Sequence, residues 1–225
     1  DARGNRTFGD VRVNRNVLGI QRRPSVATFS DGSFVVTYED DHDRDRAWDV
    51  HVAGFDGYGR RSFEPRCIHA KGTGQHLNPT VGTWSRWSSG TFVVVWTKQP
   101  HGTGTSAVLA SGFDPRGRPM FEELGVQEGE DGRLSRPAIC VDENGSFLVA
   151  WEAADAEGGT SDILVSAFDR HGGRRFTSRR VNTTAGLNLR PAIALRSQGN
   201  FTIVWERAGD VPDGYDVCAA GFDAA

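Results

Sequence analysis

Aspartates recur at every second position in the stretch "DDHDRDRAWD", residues 40–49. The four that fit a metal loop are Asp41, Asp43, Asp45 and Asp49. A curled loop with alternate carboxylates can supply several of the six to eight oxygen ligands that Ca²⁺ takes. Arg44 and Arg46 alternate with these carboxylates and could neutralise them without an ion. The stretch therefore predicts either a Ca²⁺ site or an internally paired loop.

Three glutamates each follow an aromatic residue at the end of an apolar run: Glu39, Glu152 and Glu206. Carboxylates that converge from several strand ends could act as a pair in glycoside hydrolysis. Thr97 interrupts their symmetry, and a glutamate at a strand end is usually a solvated cap. The chain has no G-x-S-x-G, H-E-x-x-H or Walker sequence. A catalytic site is therefore not the first expectation from these motifs.

These glutamates belong to a repeat that covers most of the chain. Each copy begins with a proline, continues with alternating apolar residues and a polar turn, and ends in an apolar run with an aromatic residue. The prolines at 24, 79, 137 and 191 are 55, 58 and 54 residues apart. Repeats of about 40 to 50 residues are typical of four-stranded propeller blades. We therefore expect one blade per repeat.

Each repeat also carries a Phe-Asp pair, and in three copies the aspartate stands three residues before a glycine. These aspartates are Asp56, Asp114 and Asp169. Asp at the first position and Gly at the fourth are typical of a type I turn. We expect these carboxylates to cap turns and not to perform catalysis.

The last repeat stops at "GFDAA", before a fourth strand, whereas the N-terminus carries an extra fragment. There Phe8 lies five residues before Val13, as Phe176 lies five before Val181. We therefore predict an all-β, closed four-bladed β-propeller with four strands per blade, whose last blade is completed by the N-terminal strand. It would form a single domain, residues 1–225, with repeats near 22–77, 78–135, 136–189 and 190–225 plus 6–14.

The pattern "RPxVAxxxDGxFVVxWE", the FD-x-x-G turns and "VNTT" at 181–184 resemble a tandem repeat of large secreted bacterial hemolysin-type (RTX) proteins. That resemblance implies secretion, attachment to a cell surface and a larger parent chain. The aspartate loop is similar to the calcium loops of integrin-type FG-GAP propellers, although Arg46 stands where those loops have glycine. A similarity to hemopexin-like four-bladed propellers implies an ion in the central channel.

The loops that follow the second strand of each repeat differ from one another, although the strands around them repeat. Variable loops on a rigid scaffold commonly carry ligand sites. Three side chains on these loops are the predicted ligand contacts: Trp48, His101 and Tyr215. A single site across unlike loops favours a protein partner or one specific glycan, while equivalent sites in several blades would indicate a lectin.

The net charge of −3 argues against a nucleic-acid partner, which would require a basic face. No apolar run is long enough to insert into a membrane. We therefore predict a non-catalytic extracellular or cell-surface binding or adhesion module whose partner is a protein or a carbohydrate. The alternatives are a structural spacer within a larger surface protein and a glycan-active hydrolase.

Overall fold

The computed structural model describes residues 4–42, 47–70, 72, 74–86, 89–102, 104–127, 133–155, 157–196, 199–209 and 214–223. Within these ranges the chain forms four antiparallel sheets, and each sheet comes from one repeat. Neighbouring strands in the chain are neighbours in the sheet, so every sheet is a meander. No helix in the described ranges is long and apolar enough to cross a membrane.

The strands are numbered in chain order. The first sheet contains β1 (Gln21–Thr28), β2 (Phe34–Asp40), β3 (Asp49–Phe55) and β4 (Arg61–Cys67). The second contains β5 (Gln75–Arg86), β6 (Ser89–Gln99), β7 (Ala107–Phe113) and β8 (Pro119–Gly125). The third contains β9 (Arg133–Val141), β10 (Phe147–Ala154), β11 (Ser161–Phe168) and β12 (Arg174–Arg180). The fourth contains three strands, β13 (Asn188–Leu195), β14 (Phe201–Ala208) and β15 (Tyr215–Phe222).

The hydrophobic core lies between successive sheets. The aromatic residues near the ends of the second strands are buried in all four repeats: Tyr38, Trp96, Trp151 and Trp205. Three clusters join sheet one to two, two to three, and three to four. Burying a large aromatic side chain removes roughly 150–250 Å² from water, so these interfaces dominate the stability of the fold.

The residue before each repeat proline has a left-handed backbone. Its φ is 50° at Arg23, 54° at Asn78, 46° at Arg136 and 52° at Arg190. The pairing register shifts at these positions, so each first strand begins with a bulge. A non-glycine residue with positive φ is uncommon and needs support from its surroundings.

The Phe-Asp turns follow the expectation from the sequence. Asp56 Oδ1 accepts hydrogen bonds from the backbone N–H groups of Tyr58 and Arg60, both at 2.9 Å. Asp114 and Asp169 make the same two bonds in their own turns. The carboxylates therefore hold the loops between the third and fourth strands, and the prediction that they cap turns is confirmed.

The prediction of a closed four-bladed ring with four strands in every blade was wrong. β5 packs against β1, β9 against β5 and β13 against β9, but no substantial packing joins β13 to β1 in the described ranges. Val26 of β1 is 60 % exposed and Val217 of β15 is 81 % exposed, as expected at the ends of an open arc. The N-terminal segment does not complete the last sheet in the described ranges, because that sheet holds three strands and residues 8–13 form no strand.

Candidate functional site

Glu39, Glu152 and Glu206 lie on the face of the arc where first strands begin and second strands end. The Glu39 side chain is fully buried. Its Oε2 accepts a 2.6 Å bond from Nε of Arg22, and its Oε1 accepts a 3.2 Å bond from Arg23. The same Oε1 accepts a 2.7 Å bond from the backbone N–H of Asn78, in the next sheet. Glu39 therefore supports the strained start of β5.

Glu152 repeats this arrangement between the third and fourth sheets. It accepts hydrogen bonds from Ser135 Oγ at 2.8 Å, from Arg136 Nη1 at 3.2 Å and from the backbone N–H of Arg190. Glu206 accepts a 2.7 Å bond from Nη1 of the same Arg190. Two glutamates from neighbouring sheets thus bond the same residue, Glu152 at the Arg190 backbone and Glu206 at its guanidinium.

We call these three glutamates, with the Arg and Asn residues that bind them, the Glu–Arg row. Its cationic members reach solvent: the side chains of Arg23, Arg136 and Arg190 are 51 %, 47 % and 56 % exposed. Its carboxylates differ in access, since the Glu206 side chain is 31 % exposed while that of Glu152 is 5 % exposed. Glu206 is therefore the glutamate that an external ligand can reach most easily.

Two of the predicted ligand contacts, Trp48 and His101, each lie near Gln75. The Trp48 ring is covered by the Arg22 guanidinium at 3.6 Å, and the Trp48 backbone N–H donates to Gln75 Oε1 at 3.1 Å. His101 is exposed on a cleft of about 400 Å³ that Gln75 and Arg133 also line. These contacts connect the loops of the first two sheets.

Tyr215, the third predicted contact, stands apart from the other two. It begins β15 in the fourth sheet, is 53 % exposed and pairs with Ala208. No described contact joins it to Trp48 or His101. The assignment of these three residues to one ligand site stays a prediction.

The aspartate loop is described only in part, because Asp43 and Asp45 lie outside the described residues. Asp41 follows β2 and donates its backbone N–H to Ile20 O at 3.0 Å. Asp49 is not a loop residue: it is buried at the start of β3, and its Oδ1 lies 3.5 Å from His69 Nε2. The Ca²⁺ site at these four aspartates therefore stays a prediction.

A buried histidine cluster beside Asp49 was missed by the sequence reasoning. His69 and His76 stack with ring centroids 3.4 Å apart, and His76 Nδ1 accepts a 2.9 Å bond from the Trp96 indole. Burial, together with the nearby His69 and Lys98, lowers the pKa of His76 to about 3. Burial also lowers the pKa of His69. The one signal in the sequence was the spacing of the histidines, because four of the six lie between residues 42 and 76.

Two overlapping groups in the first sheet could hold a metal ion, and both contain His51. Potential ligand atoms lie within 4.8 Å of one another in Asp40, His42 and His51, and again in Asp49, His51 and Cys67. Imidazole and thiolate ligands suit Zn²⁺ better than Ca²⁺, which prefers oxygen. The structure therefore offers transition-metal ligands where the sequence suggested a Ca²⁺ loop.

The sequence matches no family model and no curated protein sequence. Solved structures do share its fold. An endo-arabinase from Bacteroides thetaiotaomicron superposes with a TM-score of 0.56 at 11 % identity, over 94 % of this chain and 78 % of that one. A GH93 alpha-L-arabinofuranosidase of Fusarium graminearum, in complex with arabinobiose, gives 0.57 at 11 % identity over 87 % and 60 %. An alpha-L-arabinanase of Penicillium chrysogenum, also with arabinobiose, gives 0.57 at 11 % identity over 89 % and 62 %.

These neighbours correct several expectations from the sequence. They are arabinanase-type propellers and not RTX or FG-GAP repeat proteins, so neither resemblance is supported. They are longer than this chain, so its open arc of four sheets resembles part of a larger propeller. Their names are those of glycan-cleaving enzymes, which contradicts the prediction of a non-catalytic adhesion module or spacer. At 11 % identity the likeness itself shows a shared propeller fold.

Proposed function

We propose that this chain is a glycan-active hydrolase that cleaves arabinofuranose-containing glycans at the Glu–Arg row. The observation that carries this proposal is that Glu152 and Glu206, from neighbouring sheets, both bond Arg190, one at its backbone N–H and the other at its guanidinium. Most glycoside hydrolases use a pair of carboxyl groups on either side of the scissile bond. The shared fold with arabinanases supports arabinofuranosides as the first substrates to test.

The two glutamates suit different tasks. Glu206 is the more exposed, so we assign it the direct contact with the substrate. Glu152 is held in place by Ser135 and Arg136, so it is oriented to act as the base or nucleophile. The Arg190 side chain is more than half exposed and carries several N–H donors, so it can also bind a sugar hydroxyl or ring oxygen.

The polar cleft at His101 is suited to bind further sugar units. β9 connects this cleft to Glu152. Arg133 lines the cleft, and two positions later on β9 the hydroxyl of Ser135 donates to Glu152. Its other polar side chains include the amides of Gln75 and Gln99. Amides and guanidinium groups are good partners for sugar hydroxyls. A polymeric glycan substrate would also agree with the expected extracellular location.

The test is hydrolysis by the purified protein of linear arabinan, branched arabinan, arabino-oligosaccharides and p-nitrophenyl α-L-arabinofuranoside, with products separated by chromatography. We expect Glu206→Gln and Glu152→Gln each to lower kcat by roughly 10²- to 10⁴-fold, the usual contribution of a general acid or base. Glu143→Gln is the matched control, because Glu143 is exposed in the turn after β9, at the other end of the strands.

Two results would contradict the proposal. One is a folded wild-type protein that releases no sugar from any of these substrates, even if it binds them in calorimetry. The other is hydrolysis that Glu206→Gln and Glu152→Gln leave at the wild-type rate. Circular dichroism of each variant separates a loss of chemistry from a loss of fold.

A further inference from the structure

Asp40, the last residue of β2, is a buried carboxylate whose charged partners are two histidines. Its surface is 1 % exposed. Its Oδ2 atom lies 3.3 Å from Nδ1 of His42 and 3.7 Å from Nδ1 of His51. Among the described residues, no lysine or arginine side chain lies within ion-pair distance of this carboxylate. An unprotonated imidazole carries no charge, so two neutral rings would leave a buried negative charge uncompensated, which is costly.

The His42 ring reaches this carboxylate without forming a hydrogen bond to it. Its Nδ1 atom is buried and makes no hydrogen bond within the described part of the chain, although Asp40 Oδ2 is 3.3 Å away. An N–H group aimed at that oxygen would form a bond at close to this distance. Two ligands of one metal ion also lie this close without bonding to each other. At a tetrahedral zinc ion with bonds of roughly 2.1 Å, neighbouring nitrogen and oxygen ligands are about 3.4 Å apart.

His51, in β3, is the third member of the set and comes from the neighbouring strand. Asp40 pairs with Asp49, and His51 lies two positions after Asp49, so the side chains of Asp40 and His51 point to the same face of the first sheet. His51 is 7 % exposed. The potential ligand atoms of Asp40, His42 and His51 all lie within 4.8 Å of one another. The fold therefore brings two imidazoles and one carboxylate to a single point.

Gln21, at the start of β1, fixes the orientation of the Asp40 carboxylate. Its Nε2 donates to Asp40 Oδ1 at 2.9 Å and to the carbonyl oxygen of Leu18 at 2.8 Å. Its Oε1 accepts a 3.2 Å bond from Nδ2 of Asn14, so both ends of the amide are held. Oδ1 is thus engaged by the amide while Oδ2 faces the histidines. Outer hydrogen bonds that orient a carboxylate ligand in this way are typical of metal sites.

We propose that Asp40, His42 and His51 bind a divalent transition-metal ion, Zn²⁺, through Asp40 Oδ2 and the two Nδ1 atoms. Two imidazoles and a carboxylate are ligands that zinc accepts, and three protein ligands leave a fourth position of a tetrahedral ion open. The ion neutralises the buried carboxylate and ties the end of β2 to β3. The overlapping group that contains Cys67 is less suitable, because the Cys67 thiol already donates to the carbonyl oxygen of His69 at 3.4 Å.

The test is metal binding by the purified protein, freed of any affinity tag, treated with EDTA and dialysed. We expect titration with ZnCl₂ in a calorimeter to show one strong site per chain, and saturating zinc to raise the melting temperature. Co²⁺ in place of zinc should give the visible absorption of a four-coordinate ion. His42→Ala should weaken zinc binding by more than about 100-fold, because a lost ligand costs more than a lost outer partner. His171→Ala is the matched control, since His171 is exposed in a turn.

Two results would overturn the proposal: a wild type that binds no zinc, or a folded His42→Ala variant that binds zinc as tightly as the wild type. Cys67→Ser separates the two groups and should keep the wild-type affinity. Binding that is lost in Cys67→Ser but kept in His42→Ala would refute the assignment.

A second variant keeps the test independent of the fold of the first. The His42 side chain is 24 % exposed, so His42→Ala should fold, and circular dichroism checks this. Gln21→Ala leaves all three ligands in place and should weaken zinc binding by roughly 10- to 100-fold, the usual cost of removing an outer partner. An unchanged zinc affinity in Gln21→Ala would contradict the assignment of Asp40 as a ligand.

Discussion

Acidification should destabilise the fold through the stacked pair His69 and His76. The His76 side chain is buried, with 1 % of its surface exposed, and its pKa is lowered from 6.5 to about 3. Between these two values the unfolded chain binds a proton that the folded chain does not. His76 therefore does not reduce the free energy of unfolding above pH 6.5. As the pH falls from 6.5 towards 3, it reduces that free energy progressively.

The size of the effect follows from the same linkage. One pKa unit corresponds to about 1.4 kcal/mol, so His76 alone should lower the free energy of unfolding by about 2 kcal/mol between pH 7.5 and 5.0. His69 acts in the same direction, because burial lowers its pKa as well. Both rings are neutral at pH 7.5, which permits them to stack at 3.4 Å without charge repulsion.

The assay is urea unfolding at pH 7.5 and 5.0, followed by tryptophan fluorescence. His76→Gln removes the titrating ring, while the new amide oxygen can still accept the Trp96 hydrogen bond. Between pH 7.5 and 5.0 this variant should therefore lose about 2 kcal/mol less of its free energy of unfolding than the wild type loses. The matched control is His171→Gln, since His171 is exposed in a turn. If His76→Gln loses as much stability as the wild type on acidification, the explanation is refuted.

Two further predictions concern other buried groups. Glu39→Gln should lower the free energy of unfolding by roughly 2–3 kcal/mol in urea titrations, because it removes the charge that Arg22 and Arg23 contact; a change as small as that of exposed Glu143→Gln would contradict this role. Cys140 should resist alkylation by iodoacetamide in the native protein at pH 8, since burial raises the pKa of its thiol to about 12. Mass mapping that finds Cys140 modified as fast in the native as in the unfolded protein would contradict the burial.

The sequence predicted the sheets and turns well because these depend on local patterns. Alternating apolar residues fix which side of a strand is buried, and Trp96 and Trp151 lie fully buried in second strands. Ring closure could not be read in this way. The spacing of Phe8 and Val13 is that of a fourth strand, but it does not say which sheet the segment joins. Whether the first and last sheets meet depends on the angles between successive sheets.

The candidate site was only partly visible in the sequence. Glu152 and Glu206 could be named as strand-end carboxylates, but their common partner Arg190 belongs to the start of another strand. The stack of His69 on His76 joins the loop after β4 to β5 and has no diagnostic spacing. The proposal of a hydrolase came from the fold neighbours, because the loops that differ between repeats carry no motif for a hydrolase or for a binding module.

Two of the left-handed residues near the starts of first strands are hydrogen-bonded to a glutamate of another sheet. Both of these bonds run in the same direction along the chain. Glu39 of the first sheet supports Asn78 of the second, and Glu152 of the third supports Arg190 of the fourth. In both cases the earlier sheet stabilises the left-handed residue of the later one, and not the reverse. During synthesis, the glutamate of the earlier sheet would be in place before the residue that it supports. Folding from the N-terminus onwards would therefore follow the order of synthesis. Removing the fourth sheet would leave the bond from Asn78 to Glu39 in place, whereas removing the first sheet would leave Asn78 without its acceptor.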